Sequence, residues 1–395
     1  MKPLDGVTVV DFSRVLAGPS STQILAELGA TVIKIERPGS GDESRSFEPR
    51  LPGGESGYFF AFNRGKKSMT LDLKSEGGQE LALKLVKHAD IVVENFLPGT
   101  MDRMKLGYES CKAINPGLVY VSATGFGQTG PDKDEKGYDT IFQALSGIMA
   151  MTGHPDGPPA KTGIPVADLT SGLWITIAAL VGLVGRSSSG EGCHVDVSMM
   201  DVQISLLALS AARIFALNEE PQRTGTEHPG RVPSAAFECA DGRWLHISGS
   251  DQHWQPLCRA LGMDEMAADQ SLNSNAERVR RRQDVMAVIR TAVSQFDRDE
   301  VIKRLKVAKV PVGEVRSVRE ALDSDQSKFR ELVQTFTHPT EGEYQALRTP
   351  IRLSGYENPV MAPPPLLGAD TTTILSELLG MTRDDITELH SEGII

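Results

Sequence analysis

The sequence predicts an α/β protein: a large domain built on a parallel, Rossmann-like sheet, joined to a smaller α+β domain. Three observations predict it. Short apolar runs alternate with amphipathic stretches through the first half, and such alternation implies parallel strands with right-handed crossovers. The chain has 395 residues, more than one hydrophobic core usually serves, so two domains are expected. Beyond residue 218 the texture turns polar and Pro/Gly-containing, and the segment AAFECADGRWLHIS then alternates around Asp241-Gly242, a hairpin signal.

Each element follows in order. Val7–Phe12 reads as a buried strand, Pro19–Ala30 as a helix and Thr31–Glu36 as a second strand. Ser75–Ala89 is amphipathic; Asp90–Phe96 and Leu118–Thr124 are strands. A long apolar helix starts near Pro165, where proline suits a first turn. A turn at Ser187–Gly192, a strand at His194–Met199 and a helix at Asp201–Leu217 follow. Helical patterns then recur at 252–262, 275–296 and 298–307, and the tail carries a Pro363–Pro365 run and a helix at Thr371–Leu379. The expected domains are 1–217 (large), 218–233 (linker), 234–341 (small) and 342–395 (a return to the large domain).

Composition is that of an ordinary globular chain: 40% hydrophobic, 24% charged, with a formal charge of −11. That acidic balance argues against nucleic acid as a partner. The uncharged run after Asp168 falls just short of the roughly 18 to 20 residues of a bilayer span, so a core helix is expected and no membrane partner. Cys111, Cys193, Cys239 and Cys258 are widely spaced without a C-x-x-C pair. They read as reduced thiols in a cytoplasmic protein. The eight histidines form no H-E-x-x-H or tight cluster, so no metal is expected. The start, MKPLDGVTVVDF, leads into a strand without a signal-peptide pattern.

Loops with small or special residues follow the strands: SRVLAGP, RPGSGD, LPGT and GFGQTG. In an open parallel sheet they line up along the carboxyl edge, where ligands bind. Gly125, Gly127 and Gly130 satisfy G-x-G-x-x-G, which raises a nicotinamide-dependent oxidoreductase. That fingerprint must open a helix, and PDKD follows here. Arg14, Arg37, Lys66, Lys67, Lys74, Arg103 and Lys136 cluster at the same loop positions and read together as a positive rim suited to a phosphorylated ligand. Arg278–Arg282 reads as a solvated helix face. Asp168, at the head of the apolar helix, has two readings from sequence physics alone. It is either an N-terminal cap or a nucleophile whose anion the helix dipole favours.

From end to end the chain resembles the class III CoA-transferases, which include formyl-CoA, carnitine and glutarate CoA-transferases. The resemblance rests on LDGVTVVDFSRVLAGP at 4–19, LGATVIKIERPG at 28–39, GDESR at 41–45 and NRGKKSMTLDLK at 63–74. It continues through VENFLPG at 93–99, TGFGQTGP at 124–131, GYD at 137–139, ADLTSG at 167–172 and PPPLLG at 363–368. It implies that Asp168 is the catalytic nucleophile. It places Arg37, Leu71, Asp72, Leu73, Lys74, Asn95, Phe96, Leu97, Arg103, Lys136, Gly137, Tyr138 and Asp139 on positions that hold CoA, with Arg14, Val15, Leu16 and Ala17 against the coenzyme. It also implies an interlocked homodimer, no permanently bound cofactor, and a CoA thioester and a small carboxylic acid as substrates. Leu16 stands where formyl-CoA transferase has glutamine, and His228–Phe237 holds only Gly230 where that enzyme has a run of glycines. The glutarate-type branch is the nearer match over the second domain and tail. The same fold family contains α-methylacyl-CoA racemases, whose second base is a histidine in a G-H-D context. This chain has Gly137-Tyr138-Asp139 there.

Overall fold

A computed structural model describes residues 1–357 and 362–395. The chain divides into two compact units. One comprises Met1–Ile148, Lys161–Glu219 and Gln326–Ile395; the other comprises Met149–Ala160 and Glu220–Asp325.

The large unit is built on six parallel strands: β1 (Thr8–Asp11), β2 (Thr31–Glu36), β3 (Lys67–Thr70), β4 (Ile91–Glu94), β5 (Val119–Thr124) and β6 (Cys193–Ser198). Their spatial order is β3-β2-β1-β4-β5-β6, the doubly wound arrangement with its switch point between β1 and β4. Successive residues of a strand point to opposite faces, and both faces are buried. Val10, Ile33, Val92 and Tyr120 pack with Leu81 and Leu85 of helix Glu76–Val86 and with Ile374, Leu375 and Ile394 of the tail. Val9, Val32, Val93 and Val121 pack with Leu25, Ile175 and Ala179 on the other side. Serines cap two of the shorter helices, Gly57–Phe62 and Glu76–Val86. The Gly78 N–H donates to Ser75 Oγ at 3.0 Å, for instance, which satisfies one of the free donors at a helix start.

The helices used below are α1 (Ala17–Glu27), α2 (Gly57–Phe62), α3 (Glu76–Val86), α4 (Thr100–Arg103), α5 (Tyr108–Ile114) and α6 (Asp139–Leu145). The long helix runs Val166–Ser189 and ends at Gly190, whose φ of 76° is a left-handed stop. It is longer than the sequence reading allowed, because it continues through Arg186 into the serines placed in a turn. Its length and apolarity match those of a membrane-crossing helix. One side, with Ala167, Gly172, Ile175 and Ala179, is buried. A Cβ on Gly172 would meet Ser20 Oγ at 2.1 Å and the Ala17 carbonyl at 2.9 Å, so only glycine lets α1 come this close. The other side exposes Leu173, Trp174, Ile177, Val181 and Val184.

Several elements differ from expectation. The helix placed at 201–217 is two, Met199–Ser205 and Ala208–Leu217, bent by 62°. The bend follows a tightening at Leu207, whose N–H bonds Ile204 O at 2.9 Å in i→i−3 fashion. The pattern at 275–296 breaks at Arg281 into Asn275–Arg280 and Arg282–Val293. The small domain was drawn to 341. Instead the hairpin β10–β11 (Val333–His338, Gly342–Leu347) belongs to the large unit, because Phe336 and Tyr344 pack on Phe60 and Phe59. The tail also lies on the large unit: the Asp72 N–H donates to the Ile394 carbonyl and Asp370 accepts from the Ser68 N–H.

The smaller unit has an antiparallel sheet of β7 (Ser234–Glu238), β8 (Trp244–Ser248) and β9 (Val312–Glu314), with β7 and β8 joined through Asp241-Gly242. Helices cover it around Trp254, Leu257, Ile289 and Leu305. The expected solvated arginine run is not one. Arg278 is fully buried over the Trp254 ring, donating to Val232 O, Leu272 O and Asp251.

Candidate active site

The loop after β1 is the most constrained in the large unit. The Arg14 N–H donates to Asn95 Oδ1 at 2.8 Å, and Asn95 Nδ2 donates to the Arg14 carbonyl at 2.9 Å. This pair spans the switch point between β1 and β4. Val15 follows with φ of 68°, a left-handed conformation that costs a β-branched residue strain. The Asp42 carboxylate holds it there, accepting from the Val15 N–H at 3.3 Å. Asp42 is in turn paired with buried Lys34 at 2.8 Å, which also donates to the Ser13 carbonyl. Burial pushes Asp42 up, but Lys34 and the Ser44 donors outweigh that and hold it far below the usual carboxylate range. Leu16 and Ala17 are buried and open α1, which has no side-chain cap.

Lys66, expected on the rim, is buried instead. It donates to Asp11 Oδ2 at 3.1 Å, Asn63 Oδ1 and the Pro19 carbonyl. Burial lowers its pKa to about 8 despite Asp11. Its role is to tie α1 to β1 and β3, which leaves Arg37, Lys67, Lys74, Arg103 and Lys136 as the exposed cations.

A cleft of about 420 Å³ opens at the carboxyl ends of β1, β2 and β4. The expected residues Arg14, Arg37, Leu71, Asp72, Leu73, Lys74 and Phe96 line it, together with Phe12, Thr100 and Met104, which the sequence reading missed. Arg14 lies 4.6 Å over the Phe96 ring and pairs with Glu43 at 2.9 Å. Arg103 is not part of the lining but donates to Thr100 Oγ1 at 2.9 Å. Leu97 lines a separate recess of about 200 Å³ with Glu94, Ser122 and His194. Burial raises Glu94 there to about 7. Lys136 and Tyr138 are exposed, while Gly137 lies against Phe142.

Of its two sequence readings, Asp168 does not take that of a side-chain cap. It lies in the first turn of the long helix and accepts no hydrogen bond and forms no ion pair among the described residues. The capping is done by Asp139, which accepts the Ala167 N–H at 2.8 Å and Gln143 Nε2 at 2.6 Å. Asp168 is left half-buried, with no counter-charge among the described residues. Burial, then the charge of Asp139, raises its pKa to about 7. The group is therefore partly protonated near neutral pH rather than fully ionised. Tyr58 of α2 shares this field: burial, then Asp168, Asp42 and Asp139, push its phenol upward and keep it a donor. Nothing in the sequence run GYFFAF marks Tyr58, because its coupling to Asp168 is purely tertiary.

The arrangement combines a free carboxyl in the first turn of the long helix, a pinned loop after β1 and a cleft lined by Arg14, Arg37 and Lys74. A sequence profile described as CoA-transferase family III matches residues 4–371. The succinyl-CoA:glutarate CoA-transferase of Mus musculus is 36% identical over 395 residues, covering 100% of this chain and 91% of its own. The succinate–glutarate CoA-transferase of Agrobacterium fabrum is 36% identical, over 96% of this chain and 97% of its own. A crystal structure of a CAIB/BAIF family protein from Brucella suis superposes with a TM-score of 0.85 at 38% identity, covering 95% of this chain and 99% of that one. The chain belongs to CoA-transferase family III.

Proposed function

We propose that this enzyme moves CoA from succinyl-CoA to a short dicarboxylic acid, with Asp168 as the covalent relay. The observation that carries the reading is Asp168 itself: a half-buried first-turn carboxyl with no partner among the described residues and a pKa near 7. A structural acid would be capped or paired. A nucleophile must keep its lone pairs free.

In the first step an Asp168 oxygen attacks the thioester carbonyl and the C–S bond breaks, giving a mixed anhydride and CoA thiolate. The thiolate attacks the aspartyl carbonyl, releasing the donor acid and leaving an aspartyl-CoA thioester. The acceptor carboxylate attacks that thioester and frees the thiolate again, forming a second anhydride. The thiolate then takes the new acyl group and returns Asp168 as carboxylate. Thioester is exchanged for thioester, so no ATP is required. Tyr58 and the uncapped start of α1 are the donors suited to the developing oxyanions. Arg37, Lys74, Arg103 and Lys136 hold the phosphates of CoA, with Phe96 and Met104 along its nucleotide end.

Succinyl-CoA as donor and a glutarate-like acceptor are supported by the names of the mouse and Agrobacterium relatives. The exposed apolar side of the long helix supports the two-chain assembly that the sequence resemblance implies. The test is a screen of carboxylic acids with succinyl-CoA as donor, read by mass spectrometry of the CoA products. Transfer to C4–C6 dicarboxylates is expected; transfer to none of the acids ends the reading.

A further inference from the structure

The smaller unit carries a second cationic cavity that transfer chemistry does not use. It measures about 590 Å³, within the range of small-molecule sites. Arg282 and Arg290, eight residues apart on helix Arg282–Val293, share Glu227. Arg282 Nη1 bonds Glu227 Oε2 at 3.0 Å and Arg290 Nη2 bonds Oε1 at 2.6 Å. Arg223 enters from the extended segment before β7, fixed by the carbonyls of His154 and Ala150. Three guanidinium groups against one carboxylate leave the lining net positive, and His154 adds an imidazole.

The cavity is a built feature. The Gly225 N–H donates to Gly153 O at 2.9 Å. A Cβ on Gly225 would lie 2.8 Å from His154 Nδ1, so the two loops are closely fitted. Glu227 fixes one nitrogen of Arg290, and Nε and Nη1 make no hydrogen bond among the described residues. The rest of the wall is Trp244, 43% exposed, with Pro155, Pro229 and Ala236 and the hydroxyl residues Thr224 and Thr226. A simple inorganic anion would use only the arginine half. An exposed indole beside fork-shaped donors suits a planar ring bearing phosphates.

We propose that this cavity binds the phosphorylated end of an adenine nucleotide, separately from the cleft of the large unit. That chemistry has two sources, a free nucleotide or the nucleotide portion of CoA itself. The test is equilibrium dialysis of radiolabelled ADP against the full-length enzyme, alone and with its large-unit cleft filled by excess CoA. A parallel dialysis of labelled CoA counts equivalents per chain. The expected result is a second nucleotide equivalent per chain, weakened about tenfold by Arg290→Ala and also by Trp244→Ala, with Lys74→Ala leaving it in place. One CoA per chain with ADP retained identifies a free nucleotide; two CoA per chain identify CoA. Both support the site. A single nucleotide equivalent abolished by Lys74→Ala overturns it. So does a second equivalent that pyrophosphate displaces as well as ADP does and that Trp244→Ala leaves unchanged. Arg290 is half exposed, so its alanine variant is expected to fold, and thermal melting checks that it does.

Discussion

Asp139 seats the helix that carries Asp168: its Oδ1 accepts the N–H of Ala167 at 2.8 Å, and its charge, after burial, raises the pKa of Asp168. One carboxylate thus does two jobs. It satisfies a helix-start donor, which leaves Asp168 uncommitted, and it keeps Asp168 near neutrality.

The first prediction is a pH profile. Only the anion attacks, so kcat/KM should rise about tenfold per pH unit below the Asp168 pKa of about 7 and level above it. Asp139→Asn removes a like charge while its amide oxygen still accepts the Ala167 N–H. The rising limb should therefore move to lower pH. Steady-state rates from pH 5 to 9 check both, and a limb that does not move in Asp139→Asn rules out the electrostatic role of Asp139.

Stability supplies the second prediction. The folded-state pKa of Asp168 lies above its unfolded value of about 3.9. The unfolded chain therefore releases this proton first. The folded state loses stability as pH rises from about 4 to about 7, by up to roughly 4 kcal/mol. Asp168→Asn, neutral throughout, escapes that loss. It should be inactive yet melt higher than wild type at pH 8, with the gap closing toward pH 4. Thermal unfolding across that range measures it. A variant that melts lower at pH 8 means the carboxylate is stabilising.

The third prediction concerns the large-unit cleft. Arg37 and Lys74 line it and are exposed, and exposed Arg103 bonds Thr100 of its lining, whereas Lys66 is buried against Asp11. A hydrogen bond to a charged group contributes about 1.5 to 3 kcal/mol. Arg37→Ala, Lys74→Ala or Arg103→Ala should each weaken CoA binding about tenfold or more, measured by calorimetry. Lys66→Met should instead lower stability, because it leaves the Asp11 charge buried without its partner. Tight NADH binding to the wild type would contradict the cleft assignment.

What the sequence revealed divides along physical lines. The strand Thr31–Glu36, with β-branched Val32, Ile33 and Ile35, was legible to the residue. β3 was not, because its four residues, KSMT, carry no run at all. Loop cations were legible as a group but not singly. Lys66 looked like its exposed neighbours until a partner 55 residues away claimed it. Arg278 looked like a surface charge until carbonyls of the small-unit core closed on it. The position of Asp168 was legible through the resemblance of its surrounding motif. Its protonation was not, since burial and Asp139 are tertiary facts. Tyr58 was missed for the same reason.

The last prediction separates CoA transfer from racemisation, which a related active site also performs. Racemisation needs a base on each face of the carbon next to the thioester. In the racemases the second is a histidine in a G-H-D context, able to take a proton near neutrality. Here that position is Tyr138, whose side chain is 79% exposed rather than enclosed beside the reacting carbon. A side chain so open to solvent does not serve as that base. Asp168 alone can attack a carbonyl but cannot exchange a proton on both faces. The enzyme in heavy water, given succinyl-CoA and glutarate, should therefore exchange CoA rapidly with α-deuterium uptake no faster than in buffer. Mass spectrometry of both thioesters reads the two processes from one sample. Enzyme-dependent α-deuteration with no CoA exchange would transfer the assignment to the racemases.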